Sequence, residues 1–114
     1  MKGDALKMNT TNKLKSMFFK QAWKICAKLP KGKITTYKEI ANAMGSRAYR
    51  AIGQAMHNNP HYPKVPCHRV VASDGTLGGF AYPLKEKIAR LKKDGIEVKN
   101  GRIVDFEERL HKFK

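Results

Sequence analysis

From Leu14 onward apolar side chains return every three or four residues: Leu14, Met17 and Phe18, Ala22, Ile25 and Cys26, then Leu29. That period puts them on one face of a helix, with Lys15, Lys20, Lys24 and Lys28 on its wetter sides. Pro30 and Gly32 end it. The preceding stretch, MKGDALKMNTTN, has no period, so residues 1–13 read as a basic flexible arm and residues 14–114 as the folded domain. Thr36 followed three residues later by Glu39 is a capping box, which predicts a helix from Tyr37 to Met44 closed by Gly45. Ser46 is then placed to cap a second helix, about Arg47 to Asn58, stopped by Asn59-Pro60. Two short helices joined by a tight glycine turn form the helix-turn-helix pattern. In it Arg47, Arg50 and Gln54 project outward while Ile52, Ala55 and Met56 face inward.

Residues 60–83 hold four of the five prolines and read as loop, broken by the short apolar run Val70-Val71-Ala72 and a turn at Ser73-Asp74-Gly75-Thr76. A third helix is predicted from about Leu84 to Lys93, with Ile88 and Leu91 on one face and Gly95 beyond its end. Ile96-Glu97-Val98 and Arg102-Ile103-Val104 flank Lys99-Asn100-Gly101, and Asn-Gly between alternating apolar positions signals a β-hairpin. The expected fold class is α+β and mainly helical: a small domain with a helix-turn-helix, an active-site loop after it and a short C-terminal hairpin.

Composition narrows the function. A chain of 114 residues is one domain's worth. No more than three apolar residues run together, which leaves no transmembrane helix or signal-peptide core to recognise. Lys and Arg number 24 against nine Asp and Glu, a net charge of +15. Nucleic acid is the default partner of so basic a domain; a solubilising surface or a peripheral membrane binder is the alternative. Residues 1–33 are the most basic, with nine Lys and one acid. Only Cys26 and Cys67 occur, so a disulfide framework is not expected and a reducing, cytoplasmic compartment is. Cys26, on the apolar side of the first helix, reads as a small buried hydrophobe.

The stretch Pro66-Cys67-His68-Arg69-Val70 carries the chemistry. A thiol becomes a strong nucleophile as thiolate, and neighbouring His or Arg favours that form. Read alone, the pair leaves nucleophilic catalysis and a structural role equally open. Zinc is disfavoured, because Cys67 and His68 are adjacent rather than spaced as ligands.

Taken with Arg50-Ala51-Ile52-Gly53, Met56, Asn59-Pro60 and Thr36-Tyr37, that stretch resembles the O6-alkylguanine-DNA alkyltransferases from about Met17 to Gly95. The resemblance implies direct-reversal DNA repair: duplex DNA bound through the helix-turn-helix, a damaged guanine flipped out, and its alkyl group moved irreversibly to a cysteine. O4-alkylthymine is a second candidate lesion. In family terms Cys67 is the acceptor, and His68 deprotonates it through a water. An acid at the end of the following helix, here Asp94, orients the histidine. Asn59 braces the turn before the active-site loop. Arg50 enters the duplex in place of the flipped base, and Tyr37 assists phosphate rotation and donates to guanine N3. Thr36, Arg47, Ala51, Gly53 and Ser73 join Arg50 and Tyr37 on the DNA face, while Met56, Val70, Gly78, Gly79, Phe80 and Ala81 line the pocket. The expected partner is duplex DNA containing O6-alkylguanine, bound by a monomer away from membranes, with no cofactor and no metal.

The chain departs from the family at three places. Asp94 stands where Glu is usual, one methylene shorter, which puts its reach to His68 in question. Ala81-Tyr82-Pro83 replaces a serine and a glycine pair, making that loop bulkier. The domain that precedes this unit in most members, where any structural zinc lies, has no counterpart ahead of Leu14. The readings to be separated are a single-turnover alkyltransferase, a non-catalytic lesion binder and a helix-turn-helix regulator. Alkyltransferase-like lesion binders usually carry tryptophan at the acceptor position, so Cys67 favours catalysis.

Overall fold

The computed structural model describes residues 2–77 and 84–113. Its first helix, α1, runs Lys2–Cys26. The helix therefore begins at Lys2 instead of Leu14, and the segment expected to be an arm continues it; no proline interrupts the ladder before Pro30. The buried stripe also differs from expectation. Phe19, Ala22 and Cys26 form it, whereas Leu14 and Met17 are 63% and 56% exposed. Helices α2 (Tyr37–Ala43) and α3 (Tyr49–His57) pack on the C-terminal half of α1, and Leu14 and Met17 lie beyond their cover. Trp23 Nε1 donates to Ala55 O at 2.7 Å and ties α1 to α3.

Thr36 caps α2 as expected, its Oγ1 accepting from Glu39 N at 3.0 Å. Gly45 follows at φ +66°, a left-handed conformation that a Cβ would strain. Ser46 does not cap α3. Its Oγ accepts from Ala48 N at 3.0 Å, a local bond that shapes the turn, and the helix starts later, at Tyr49. Arg47 therefore lies in the inter-helix turn.

The apolar run after the active-site loop is a strand. β1 (Thr35–Thr36) and β2 (Val70–Val71) pair in parallel, Thr35 with Val70 and Thr36 with Val71. Successive strand residues face opposite ways, so β2 serves two cores. Val70 joins Phe19, Ala22, Cys26, Ile52, Met56 and Cys67, while Val71 joins Ile34, Leu77, Leu91, Ile96 and Ile103.

Helix α4 spans Leu84–Lys93 as read from the sequence, with Leu91 buried. β3 (Val98–Lys99) and β4 (Arg102–Ile103) form the hairpin. Asn100 and Gly101 carry φ of 53° and 75°, the two positive values a type I′ turn requires. A last short helix, α5 (Phe106–Arg109), was not signalled by any period. Beyond it the backbone returns to β1: Ile34 N donates to Arg109 O at 2.9 Å and His111 N to Ile34 O at 2.8 Å. The result is a small, mainly helical α+β fold.

Candidate active site and nucleic-acid face

Pro66 introduces a 3₁₀ turn over Cys67–Arg69 that buries both Cys67 and His68, 1% and 3% exposed. Asn59 fixes the approach to this turn. Its Nδ2 donates to Val65 O at 2.7 Å and its Oδ1 accepts from His61 N at 2.9 Å, so one amide joins the end of α3 to the residue before Pro66.

Asp94, just past α4, reaches the histidine despite its short side chain. His68 Nε2 lies 2.5 Å from Asp94 Oδ2, and Arg69 Nε donates to the same oxygen at 2.9 Å. Burial pushes the Asp94 carboxyl up, but the bonds from Arg69 and His68 outweigh it and hold the group below the ordinary carboxylate value. Burial also dominates His68 and lowers it; Asp94 pulls the other way, and Arg69 and Arg90 add to the lowering. An ionised Asp94 beside a neutral imidazole means that Nε2–H donates and Nδ1 carries the lone pair. His68 Nδ1 is buried with no hydrogen-bond partner among the described residues.

Tyr37 opens α2, and the β1–β2 ladder sets that helix end beside the active-site turn. Burial pushes its phenol up to about 12, with negative charge on Cys67 and Cys26 acting in the same direction. It is a neutral donor at ordinary pH. Cys26 belongs to the same buried cluster and is likewise raised by burial to about 12, which matches its reading as an inert core thiol.

Two charged residues near the site were missed from the sequence. Arg69 was taken only as a cation following the cysteine, yet it shares Asp94 with His68. Lys87 is fully buried, its Nζ donating to Val70 O at 2.7 Å and Leu77 O at 2.6 Å. Burial lowers its ammonium to about 7, with Cys67 charge opposing. One signal was available: Lys87 lies four residues before Leu91, on the apolar side of α4.

On the helix-turn-helix, Arg50 and Gln54 are exposed four residues apart on α3, and Ile52, Ala55 and Met56 are buried beneath, as expected. Arg47 and Ser73 are exposed, and Ala51 is half-buried. A Cβ built on Gly53 meets nothing within 4 Å, so no contact among the described residues demands glycine there. Thr36 is buried with its hydroxyl committed to the α2 cap, leaving no free side chain to offer a phosphate. Met56 and Val70 share the cluster that holds Cys67. Gly78, Gly79, Phe80 and Ala81 lie outside the described residues. Among the described residues no three His, Cys, Asp or Glu side chains converge as a metal ion would need, and no helix is long and apolar enough to cross a membrane.

Residues 17–96 match the family model described as 6-O-methylguanine DNA methyltransferase, DNA binding domain. A methylated-DNA–protein-cysteine methyltransferase of Methanosarcina barkeri is 45% identical over 82 residues, covering 69% of this chain and 52% of that protein. A bifunctional methyltransferase/endonuclease of Picrophilus torridus is 43% identical over 82 residues, covering 71% of this chain and 28% of that one. The chain thus spans about half or less of these relatives. Among solved structures, S. pombe Atl1 in complex with damaged DNA containing O6-carboxymethylguanine superposes with a TM-score of 0.75 at 28% identity, over 86% of this chain and 97% of that one. Mycobacterium tuberculosis OGT in complex with DNA gives 0.65 at 37% identity, over 68% and 48%.

Proposed function

The chain belongs to the family of the 6-O-methylguanine DNA methyltransferase DNA-binding domain, and on that premise we propose that it repairs O6-alkylguanine in duplex DNA by taking the alkyl group onto Cys67. One observation carries the reading. A buried cysteine is followed by a histidine whose Nε2 is engaged by Asp94, which leaves a buried Nδ1 without a partner among the described residues. That is the arrangement of a base waiting for a proton.

The thiol proton of Cys67 passes to His68 Nδ1 through a water. The thiolate then attacks the alkyl carbon, the carbon–O6 bond breaks, and its electrons return to the guanine ring. Tyr37 donates its hydroxyl proton to guanine N3, the proton held by His68 returns to the phenolate through solvent, and exchange with water moves the N3 proton to N1. The product is a thioether at Cys67 and an unmodified guanine. Arg50, exposed on α3, fills the stack that the base has left. Gly53 lets the phosphate backbone approach α3 closely, consistent with a glycine that internal packing does not require. Arg47 and Ser73 add contacts to the same strand pair, and the charge of +15 supplies sequence-independent affinity.

The likeness to Atl1 over nearly the whole of that chain favours a second reading, lesion binding without transfer. Incubation with a duplex containing O6-methylguanine, followed by peptide mass mapping, separates the two. Methyl on Cys67 is the expected result. Tight binding with an unmodified Cys67 would establish the second reading.

A further inference from the structure

Two side chains with no part in that reaction, Tyr62 and Arg90, form a stack that ends on the histidine. The rings of Tyr62 and His68 meet edge-on, centroids 5.3 Å apart and planes at 74°. The Arg90 guanidinium lies over the Tyr62 ring, its Cζ 4.1 Å from the centroid. Arg90 precedes Asp94 by four residues, so α4 and its end deliver a cation and a carboxylate to the same imidazole. Glu86, four residues earlier still, stands loosely behind Arg90 at 3.8 Å and is itself half exposed.

On the reading of His68 as the base, we propose that Tyr62 and Arg90 are positioning residues. Tyr62 holds the plane of the imidazole and seats the Arg90 cation close enough to keep the ring uncharged, so that Nδ1 retains its lone pair.

The need for such a device follows from the contacts of His68. Asp94 binds its Nε2 and, acting alone, draws a second proton onto the ring, making an ion pair that cannot accept a proton from Cys67. Three influences oppose that: burial, Arg69 on the same turn, and Arg90 on α4. Arg69 is bound directly to Asp94, so much of its charge is spent on the carboxylate. Arg90 lies 3.8 Å from Glu86 on its own helix and over the uncharged ring that meets His68 edge-on. Tyr62 contributes flatness as well as contact: a guanidinium stacks on an aromatic face, where an aliphatic side chain would let it swing toward solvent.

The test is the titration of the His68 ring Cε1–H by NMR in the free protein, alongside single-turnover methyl transfer between about pH 5 and 8. Arg90→Gln and Arg90→Met should both raise the His68 midpoint. Transfer near the acid end should then fall by about two- to fivefold, the deficit shrinking as pH rises. Tyr62→Leu should raise the midpoint as well, whereas Arg90→Lys and Tyr62→Phe should keep it close to the parent value. Two neutral replacements of Arg90 are named so that one folded variant suffices. An unmoved midpoint in a folded Arg90→Gln or Arg90→Met protein overturns the proposal, as does a rise in Arg90→Lys equal to that in Arg90→Gln. The titration needs no reaction, so a parent protein that fails to transfer methyl would count against the proposed function alone.

Discussion

Asp94 Oδ2 meets His68 Nε2 at 2.5 Å although it is one methylene shorter than the glutamate usual in the family. The position just past α4 supplies the reach that the side chain lacks. If His68 is the base, His68→Ala should slow alkyl transfer by about 100- to 10,000-fold while leaving DNA affinity nearly unchanged. Asp94→Asn keeps an acceptor but loses the charge, and should cost about 10- to 100-fold, the worth of a charged hydrogen bond. Asp94→Glu should gain nothing, because the contact is already made. The acid limb of the parent's rate profile should fall below the ordinary histidine value of 6.5, since burial lowers His68. Single-turnover kinetics across pH measure all four, and an Asp94→Asn protein as fast as the parent would remove the carboxylate from the mechanism.

With Cys67 as the proposed acceptor, the reaction is stoichiometric. An unactivated thioether is a poor leaving group, and the other thiol, Cys26, is buried and raised to about 12. One lesion repaired per molecule, then arrest, is the expected burst; Cys67→Ser should abolish it and keep DNA binding. Cys67 is 1% exposed beside Met56 and Val70. Adding a methyl group to so full a site should lower stability by about 1–3 kcal/mol, measurable by urea unfolding of the reacted and unreacted protein.

Arg50 and Gly53 should separate recognition from repair. Arg50→Ala should reduce repair more than bulk duplex affinity, because the side chain acts on the flipped state. Gly53→Ala should stabilise the free protein by roughly 0.5–1 kcal/mol, as alanine does inside a helix, and there is open space for the methyl. Duplex binding should weaken in the same variant. Titrations at two salt concentrations check both, and equal affinity in Gly53→Ala would mean that no backbone approaches that face.

Lys87 predicts an unusual stability profile. Its folded value is about 7 against the ordinary 10.5. Between those values the unfolded chain holds one more proton, so stability should rise with pH, by at most about 1.4 kcal/mol per unit. Cys26 opposes this from 9 upward, because its folded value near 12 makes the unfolded chain lose its proton first. A rise from pH 7 to 9, little change from there to about 10 where the two effects cancel, and a decline above that as the raised Tyr37 joins Cys26 are expected in urea titrations. Lys87→Met should flatten the rise, and a parent profile already flat from 7 to 9 would show the ammonium to be charged in place.

Local chemistry was legible in the sequence wherever a residue's role is set by its near neighbours. Thr36 and Glu39 cap a helix, Asn100-Gly101 turns a hairpin, and Pro66-Cys67-His68 marks the reactive turn, all within a few residues. What escaped depends on partners far along the chain. β1 and β2 are two residues each, too short for any period, and they exist because Thr35 finds Val70. Lys87 shows no sign of burial in its own helix except its position on the apolar side; its carbonyl partners, Val70 and Leu77, lie ten or more residues away. Ser46 failed as a cap for the opposite reason. A nearer donor, Ala48 N, took its oxygen first.

The return of the backbone from α5 to Ile34 bears on when this protein can act as it is made. Every proposed reacting side chain, from Tyr37 to Asp94, precedes residue 95. Yet Ile34 N donates to Arg109 O and Ile34 O accepts from His111 N, and Thr35 Oγ1 donates to His111 O at 2.9 Å. The strand that sets Tyr37 beside Cys67 is thus clamped by some of the last described residues. A nascent chain that has released all of these side chains still lacks the clamp, so the strand that carries Tyr37 toward Cys67 gains those bonds only when residue 111 arrives. On the proposed reaction, synthesis itself then acts as a safety catch on a thiol that can be used once.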